Sequence, residues 1–261
     1  VTATENLICA NIFRKWKTKI EMSALEPHVV NLVDMLNKAW ADIKINHTHR
    51  IEINWVDSLS NNLEFSVVSD YIESGTFIVI WALASEKFID IENARIVDLY
   101  SFIEKLKEAW VKVEDLWNDT LRVYKCENIN AIELQTNIFP GFPTDLQSPF
   151  AILLSQAEWI SKIHEILFEW RLNFLVELDK LWGHTAILNP HQALIFSKTE
   201  LKAKNTTVTS WDLRAWAAMI IAWLIANWNT FSTNVEYIER GYENFVPKLK
   251  NLGADIEFTR E

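Results

Sequence analysis

Apolar and polar positions along this chain follow two periods, and the switch from one to the other recurs. In four places a leucine-rich run at helical spacing gives way, after a short break, to the alternation of a strand. These segments read LVDMLNKAWADIKI, SFIEKLKEAWVKVE, FLVELDKLWGHTAI and ENFVPKLKNLGADIEF. A second pattern comes ahead of each, in FRKWKTKIEMSAL, SEKFIDIENAR, QAEWISKIHEILF and IANWNTFSTNVEY, where a helix end, a tight turn and a strand follow one another. Two helices interleaved with strands thus form a unit of roughly 60–70 residues, longer than the common solenoid repeats. Residues 150–157 (FAILLSQA) and 215–228 (AWAAMIIAWLIANW) are apolar nearly all round, which predicts helices buried on every side. The second of these is too short to span a bilayer, which takes about 20 residues. Helices inside and sheets outside make a pseudo-symmetric α/β fold. Alternation between Ile51 and Asp70 (IEINWV, LEFSVV) predicts strands, with a boundary near Val68–Asp70. Residues 199–205 (TELKAKN) read as a charged surface turn or strand edge.

The breaks in the four segments hold Trp40, Trp110, Trp182 and Gly253. A helix that stops and turns into a strand often needs a residue of positive φ just past its end, a conformation glycine takes freely and a bulky side chain resists. One kind of site is therefore filled three times by the largest residue and once by the smallest. Composition points the same way, with 5 glycines and 13 tryptophans in 261 residues. Adding the tryptophans to the glycines would restore glycine to its ordinary share of roughly 7%. Most of these tryptophans are therefore expected to be UGA codons that the source reads as glycine. The alternative is a Trp-rich protein with stacking or sugar-binding aromatics.

A net charge of −10 gives no electrostatic footprint for nucleic acid or an anionic membrane, both of which favour basic patches. An anionic ligand must then be held by a few placed arginines. Cys9 and Cys126 are too few for a disulfide framework and have no metal-type spacing, so a reduced cytoplasmic setting is expected. No signal peptide is visible, and a chain that opens on Val1 in patterned sequence is expected to be a fragment.

Candidate chemistry concentrates in residues 139–147 (FPGFPTDLQ), where two prolines and a glycine stiffen a loop that ends in Asp145. A carboxylate just before a helix can be a cap, the commoner role for an isolated Asp. It can also be a general base on a preorganised loop. Arg171, Arg214 and Arg240 each stand beside a turn, in FEWRLNF, SWDLRAW and YIERGYE. Singly each reads as a surface or salt-bridge arginine; together they could form a bidentate clamp on carboxylate or phosphate. His164 and His184 read as structural, His47 and His49 as surface-turn residues, and Cys9 as a buried small hydrophobe. No G-x-G-x-x-G, P-loop or G-x-S-x-G is present, even with tryptophan read as glycine.

With that reading, the chain resembles the UDP-N-acetylglucosamine 1-carboxyvinyltransferases, the enolpyruvyl transferases of peptidoglycan synthesis. The resemblance rests on ATEN (3–6), EPHVVNLVDMLNKAW (26–40), DYIESGTF (70–77), PGFPTDLQ (140–147), SKIHEILFEWRL (161–172), DLRAWAAMIIAWLIANWNT (212–230) and YIERGYENFVPKLKNLGADI (237–256), in collinear order over essentially all 261 residues. FPTDLQ with DLRA and ERGYE favours this group over the sister 3-phosphoshikimate 1-carboxyvinyltransferases. Trp16, Trp40, Trp110, Trp159, Trp182, Trp223 and Trp228 match positions that are typically glycine, and Trp170, Trp211 and Trp216 match positions where glycine is one familiar choice. Trp117 carries the weakest such match.

The resemblance implies an inside-out α/β barrel of repeated units, with residues 1–68 the last third of one domain and 69–261 most of the second. It implies transfer of enolpyruvyl from phosphoenolpyruvate to the 3′-hydroxyl of UDP-N-acetylglucosamine, with no cofactor or metal. Asp145 matches the proposed general base, and Arg214 and Arg240 match arginines that hold phosphoenolpyruvate. Leu167 and Val1 match sugar-nucleotide contacts, and Arg171 is placed in the cleft. The loop bearing a reactive cysteine or aspartate has no match here, so neither Cys9 nor Cys126 takes a catalytic role and the fragment alone is expected to be inactive. The rival readings are a non-catalytic sugar-nucleotide-binding paralogue and a 3-phosphoshikimate 1-carboxyvinyltransferase.

Overall fold

A computed structural model describes residues 1–46, 48–202, 207–208, 212–227, 231–232 and 235–257. His47, Trp211, Trp228 and parts of 199–205 and of the fourth helix-end segment lie outside these residues. The chain divides into two compact units, Val1–Tyr71 with Ile138–Pro140, and Ile72–Asn137 with Gly141–Glu261.

The first unit runs α1 (Thr2–Asn11), β1 (Thr18–Ile20), α2 (Pro27–Lys38), β2 (Asp42–Asn46) and β3 (Arg50–Asn54). Its sheet has the order β1-β3-β2, antiparallel throughout, and lays Ile20, Ile43, Ile51 and Ile53 against Ile8, Val29, Val33 and Leu36 of the two helices. The expected strand in LEFSVV does not form; residues 63–68 belong to no ladder. Cys9 corrects another expectation. In α1 the buried positions are Thr4, Ile8 and Asn11, which leaves Cys9 on the outward face, exposed.

The second unit repeats the arrangement. It begins with α3 (Tyr71–Ala84, whose first residue groups with the first unit), β4 (Phe88–Ile91), α4 (Tyr100–Glu108), β5 (Val113–Asp115) and β6 (Leu121–Tyr124). Two short strands follow, β7 (Ile129–Asn130) and β8 (Glu133–Gln135). Then come α5 (Gln147–Leu154), β9 (Ala157–Glu158), β10 (Ser161–His164), α6 (Phe174–Lys180), β11 (Thr185–Asn189) and β12 (Gln192–Ile195). The chain continues with β13 (Thr207–Val208), α7 (Leu213–Ile225), β14 (Phe231–Ser232) and α8 (Phe245–Asn251). Sheet order β4-β6-β5 copies that of the first unit, and β10-β12-β11 copies it again, with β8 added in parallel beside β10. In three successive repeats the first strand thus pairs with the third, a topology that one sequence pattern dictates each time.

The helices at the centre are the apolar ones. Every residue of α5 is buried, and α7 is buried from Ala215 through Ala222. A third helix of this kind, α3, is buried from Ser74 through Ala82, including Thr76, which donates or accepts a 2.9 Å hydrogen bond with Tyr242. Amphipathic α4 and α6 instead bury one face, Phe102, Ile103 and Leu106 in the first and Phe174, Leu175 and Leu178 in the second. Burial on every side is what an all-round apolar run demands, since it has no face that water solvates well.

The turn after each amphipathic helix has one geometry. Trp40, Trp110 and Trp182 have φ of 77°, 67° and 67°, and Gly253 has φ of 96°. Each donates its N–H to the carbonyl three residues back, while the next residue bonds the carbonyl five back, the paired bonds of a Schellman turn. A strand follows the first three turns; after Gly253 residues 254–257 form none.

Candidate functional site

The site begins with a loop held at both ends. Phe142 packs against Phe102 of α4 and Phe150 of α5, with ring centroids 5.7 and 5.3 Å apart, and its carbonyl accepts from the Asn137 N–H at 2.8 Å. The bond between Phe139 and Pro140 is cis. Pro143 then leads into a 3₁₀ turn, Thr144–Leu146, that runs directly into α5. Leu146 seats this turn on α3 at Gly75, where an added Cβ would come within 2.5 Å of the leucine. The glycine's missing side chain is what lets the turn lie so close to the helix.

Asp145 projects from this turn and makes no cap hydrogen bond to α5, so the capping reading does not hold. Its Oδ1 accepts from Arg171 Nη2 at 2.6 Å, and its Oδ2 lies 3.1 and 3.2 Å from Arg214 Nη2 and Nε. Burial would push the Asp145 carboxyl up. The charges of Arg214 and Arg171, with their hydrogen bonds, outweigh it and hold the carboxyl below the usual carboxylate range. Asp145 is therefore an anion at neutral pH, held by two cations.

Each arginine is aimed by its own local structure. Asp212 caps α7 by accepting from the N–H groups of Arg214 and Ala215, both at 2.8 Å, which fixes Arg214 in the first turn. The Arg214 guanidinium also lies over the Tyr242 ring, 5.2 Å from its centroid. Arg171 follows Trp170, whose φ of 63° turns the chain into the short 3₁₀ helix Arg171–Asn173. Arg171 Nη1 donates to Thr144 Oγ1 at 2.8 Å, and among the described residues its buried Nε has no hydrogen-bond partner.

Behind this pair sits a residue that the sequence reading missed. Glu165, fully buried, accepts from Thr144 Oγ1 at 2.6 Å and from the N–H groups of Leu167 and Phe168 at 2.9 and 3.3 Å. One carboxylate thus ties the Asp145 turn to the loop that carries Leu167 and Arg171. A glutamate directly after a strand, four residues past Ser161, was the available signal. The Leu167 N–H is therefore already engaged, and its side chain is exposed.

Asp145, Arg171 and Trp170 line a cavity of about 720 Å³ with Phe168, Asn173 and Asp212. That volume is in the range of small-molecule sites. Of the other expected site residues, Arg240 ends the 3₁₀ segment Val235–Arg240, is exposed, and among the described residues makes no ion pair with Asp145. Val1 is half exposed at the start of α1, in the first unit. Burial pushes the Cys126 thiol up, away from the reactive thiolate.

The fold resembles that of solved enolpyruvyl transferases. It superposes on the enolpyruvyl transferase NikO from Streptomyces tendae with a TM-score of 0.90, at 24% identity, over 98% of this chain and 60% of that one. An EPSP synthase from Acinetobacter baumannii gives 0.74 at 16% identity, over 97% of this chain and 60% of that one. The family model for EPSP synthase (3-phosphoshikimate 1-carboxyvinyltransferase) matches residues 1–249, and the chain belongs to that family. Among curated relatives, the UDP-N-acetylglucosamine 1-carboxyvinyltransferase 2 of Listeria monocytogenes is 39% identical over 98% of this chain. The protein of the same name from Prochlorococcus marinus is 38% identical over 99% of it. The chain spans 59% of the length of each of these two relatives.

Proposed function

We propose that this chain is the part of an enolpyruvyl transferase that supplies its general base and part of its anion-holding site. The reaction is transfer of enolpyruvyl from phosphoenolpyruvate to the 3′-hydroxyl of UDP-N-acetylglucosamine, in the cytoplasm, with release of phosphate. The observation that carries this reading is a carboxylate clamped between two arginines inside a cavity, in a chain whose curated relatives bear that enzyme's name. Proton removal by a placed carboxylate is worth roughly 10²–10⁴-fold in rate. In the free site the arginines depress Asp145 and make it a weak base. An arriving phosphate or carboxylate would compete for the same guanidinium groups, and Asp145 would regain basicity as they turned to the ligand. Arg171 Nε supplies one further donor for that anion. Arg214 and Arg240 hold phosphoenolpyruvate in this reading, while Leu167 lies along the sugar nucleotide. The relatives extend well beyond the matched stretch, so the 261 residues alone are expected to turn over neither substrate.

The test uses the whole protein, assayed for phosphate release with UDP-N-acetylglucosamine and, separately, with 3-phosphoshikimate. Activity with the sugar nucleotide, and its loss by about 10²–10⁴-fold in Asp145→Asn with sugar-nucleotide binding retained, is the expected result. Turnover of 3-phosphoshikimate instead, or an undiminished Asp145→Asn enzyme, contradicts the reading.

A further inference from the structure

Tryptophan is concentrated where the backbone calls for glycine. Twelve described residues other than glycine have positive φ, and six of them are tryptophan: Trp40, Trp110, Trp117, Trp159, Trp170 and Trp182, between 63° and 77°. The other six are three asparagines, an aspartate, a histidine and a methionine; asparagine and aspartate are the residues that visit this region most readily after glycine. A bulky residue in that region is an outlier, and here one residue type supplies half the cases. Meanwhile Gly253 alone among the glycines has positive φ.

Burial does not account for these tryptophans. All six are exposed, from 55% at Trp170 to 78% at Trp117, so no indole is held in its strained position by a packed core. They share no common surface feature either. Three follow amphipathic helices, Trp117 sits in the β5–β6 turn, Trp159 in the β9–β10 turn, and Trp170 before the 3₁₀ helix of Arg171. What they have in common is a backbone state. Gly253 stands at the fourth copy of the helix-ending turn and makes the same two hydrogen bonds as Trp40, Trp110 and Trp182. A different kind of misfit occurs at Trp223 in α7, whose buried Nε1 has no hydrogen-bond partner among the described residues.

We infer that positions 40, 110, 117, 159, 170 and 182 are glycine in the living protein, encoded by UGA codons that the source organism translates as glycine and that a translation of UGA as tryptophan has rendered as indoles. The inference stands apart from the reaction proposed above, because it rests on backbone geometry and holds whatever the substrate is. It does bear on the site at one point. Trp170 lines the cavity directly beside Arg171, so glycine there removes an indole from the cavity wall and opens the approach to the guanidinium.

Two readings on the source organism test it together. The gene is sequenced at the six codons, and the indole content of the whole native protein is measured by its near-ultraviolet absorbance after denaturation. UGA at all six codons, with fewer indoles than the printed sequence contains, is the expected outcome. UGG at these codons overturns the inference. So does UGA accompanied by the full indole content, since the organism would then be reading UGA as tryptophan.

Discussion

The turn after α2 and the turn after α8 share a backbone and differ in the side chain it must carry. In both, a residue of positive φ bonds the carbonyl three back and its successor bonds the carbonyl five back. At position 253 the residue is glycine, and a Cβ built there would meet nothing within 4 Å. At position 40 it is tryptophan, 69% exposed. Space is therefore not what separates the two turns; the intrinsic cost of the left-handed conformation is. That cost is about 1–2 kcal/mol for a residue with a Cβ. The pairing teaches that a fold can specify a residue more firmly than the printed letters do.

The comparison can be broken in several ways. The largest effect is expected when the whole protein is produced in two forms, with tryptophan or with glycine at the six positive-φ positions. The summed difference is about 6–12 kcal/mol, against a typical domain stability of roughly 5–15 kcal/mol. Urea unfolding should find the glycine form cooperative and the tryptophan form largely unfolded. Equal midpoints would show that the turns tolerate indoles.

Next in size is a change of the opposite sign. Trp81 lies in right-handed α3 and is only 9% exposed, so its indole packs in the core. Trp81→Gly is expected to destabilise by about 3–5 kcal/mol, the range for removing a large core aromatic. Thermal unfolding of the glycine form with and without this change measures it, and a stabilised variant would place position 81 with the turn tryptophans.

Smaller still is Gly253→Trp, which should convert the fourth turn into a copy of the first. With open space around the Cβ, only backbone strain acts, and a loss of about 1–2 kcal/mol is expected. No loss in the urea midpoint would remove the strain argument at all four turns.

The smallest test separates strain from charge. The Asp145 pKa is lowered in the folded state, so the stability that its ion pairs contribute is present above the ordinary carboxylate value, about 3.9. It is lost as pH falls through the lower folded value. Unfolding followed from neutral to acid pH should show that decline in the parent and a weaker one in Asp145→Asn. The gap between tryptophan and glycine forms should stay constant over the same range, because no charge is involved.

Much of this architecture was legible in the sequence because hydrophobic period is a local signal. The amphipathic helices, the breaks after them and the fully apolar α5 and α7 all followed from spacing. Helix α3 was passed over because Glu73, Ser74 and Thr76 interrupt its apolar run, although Ser74 and Thr76 are buried. LEFSVV alternates like a strand yet pairs with none, since a ladder needs a partner that alternation does not provide. Asp145 and its arginines could be nominated singly, but their meeting depends on contacts 26 and 69 residues apart. Glu165 offered only its place directly after a strand, since nothing near it in the chain reveals that its carboxyl is buried under Thr144.

Peptide mass spectrometry of the native protein reaches the central claim most directly. Trypsin releases residues 39–44 (AWADIK) and 108–112 (EAWVK), each containing one turn tryptophan and no other. Peptides whose masses and fragment ions give AGADIK and EAGVK are the expected result. Intact AWADIK and EAWVK would contradict it, and the indoles would then be real.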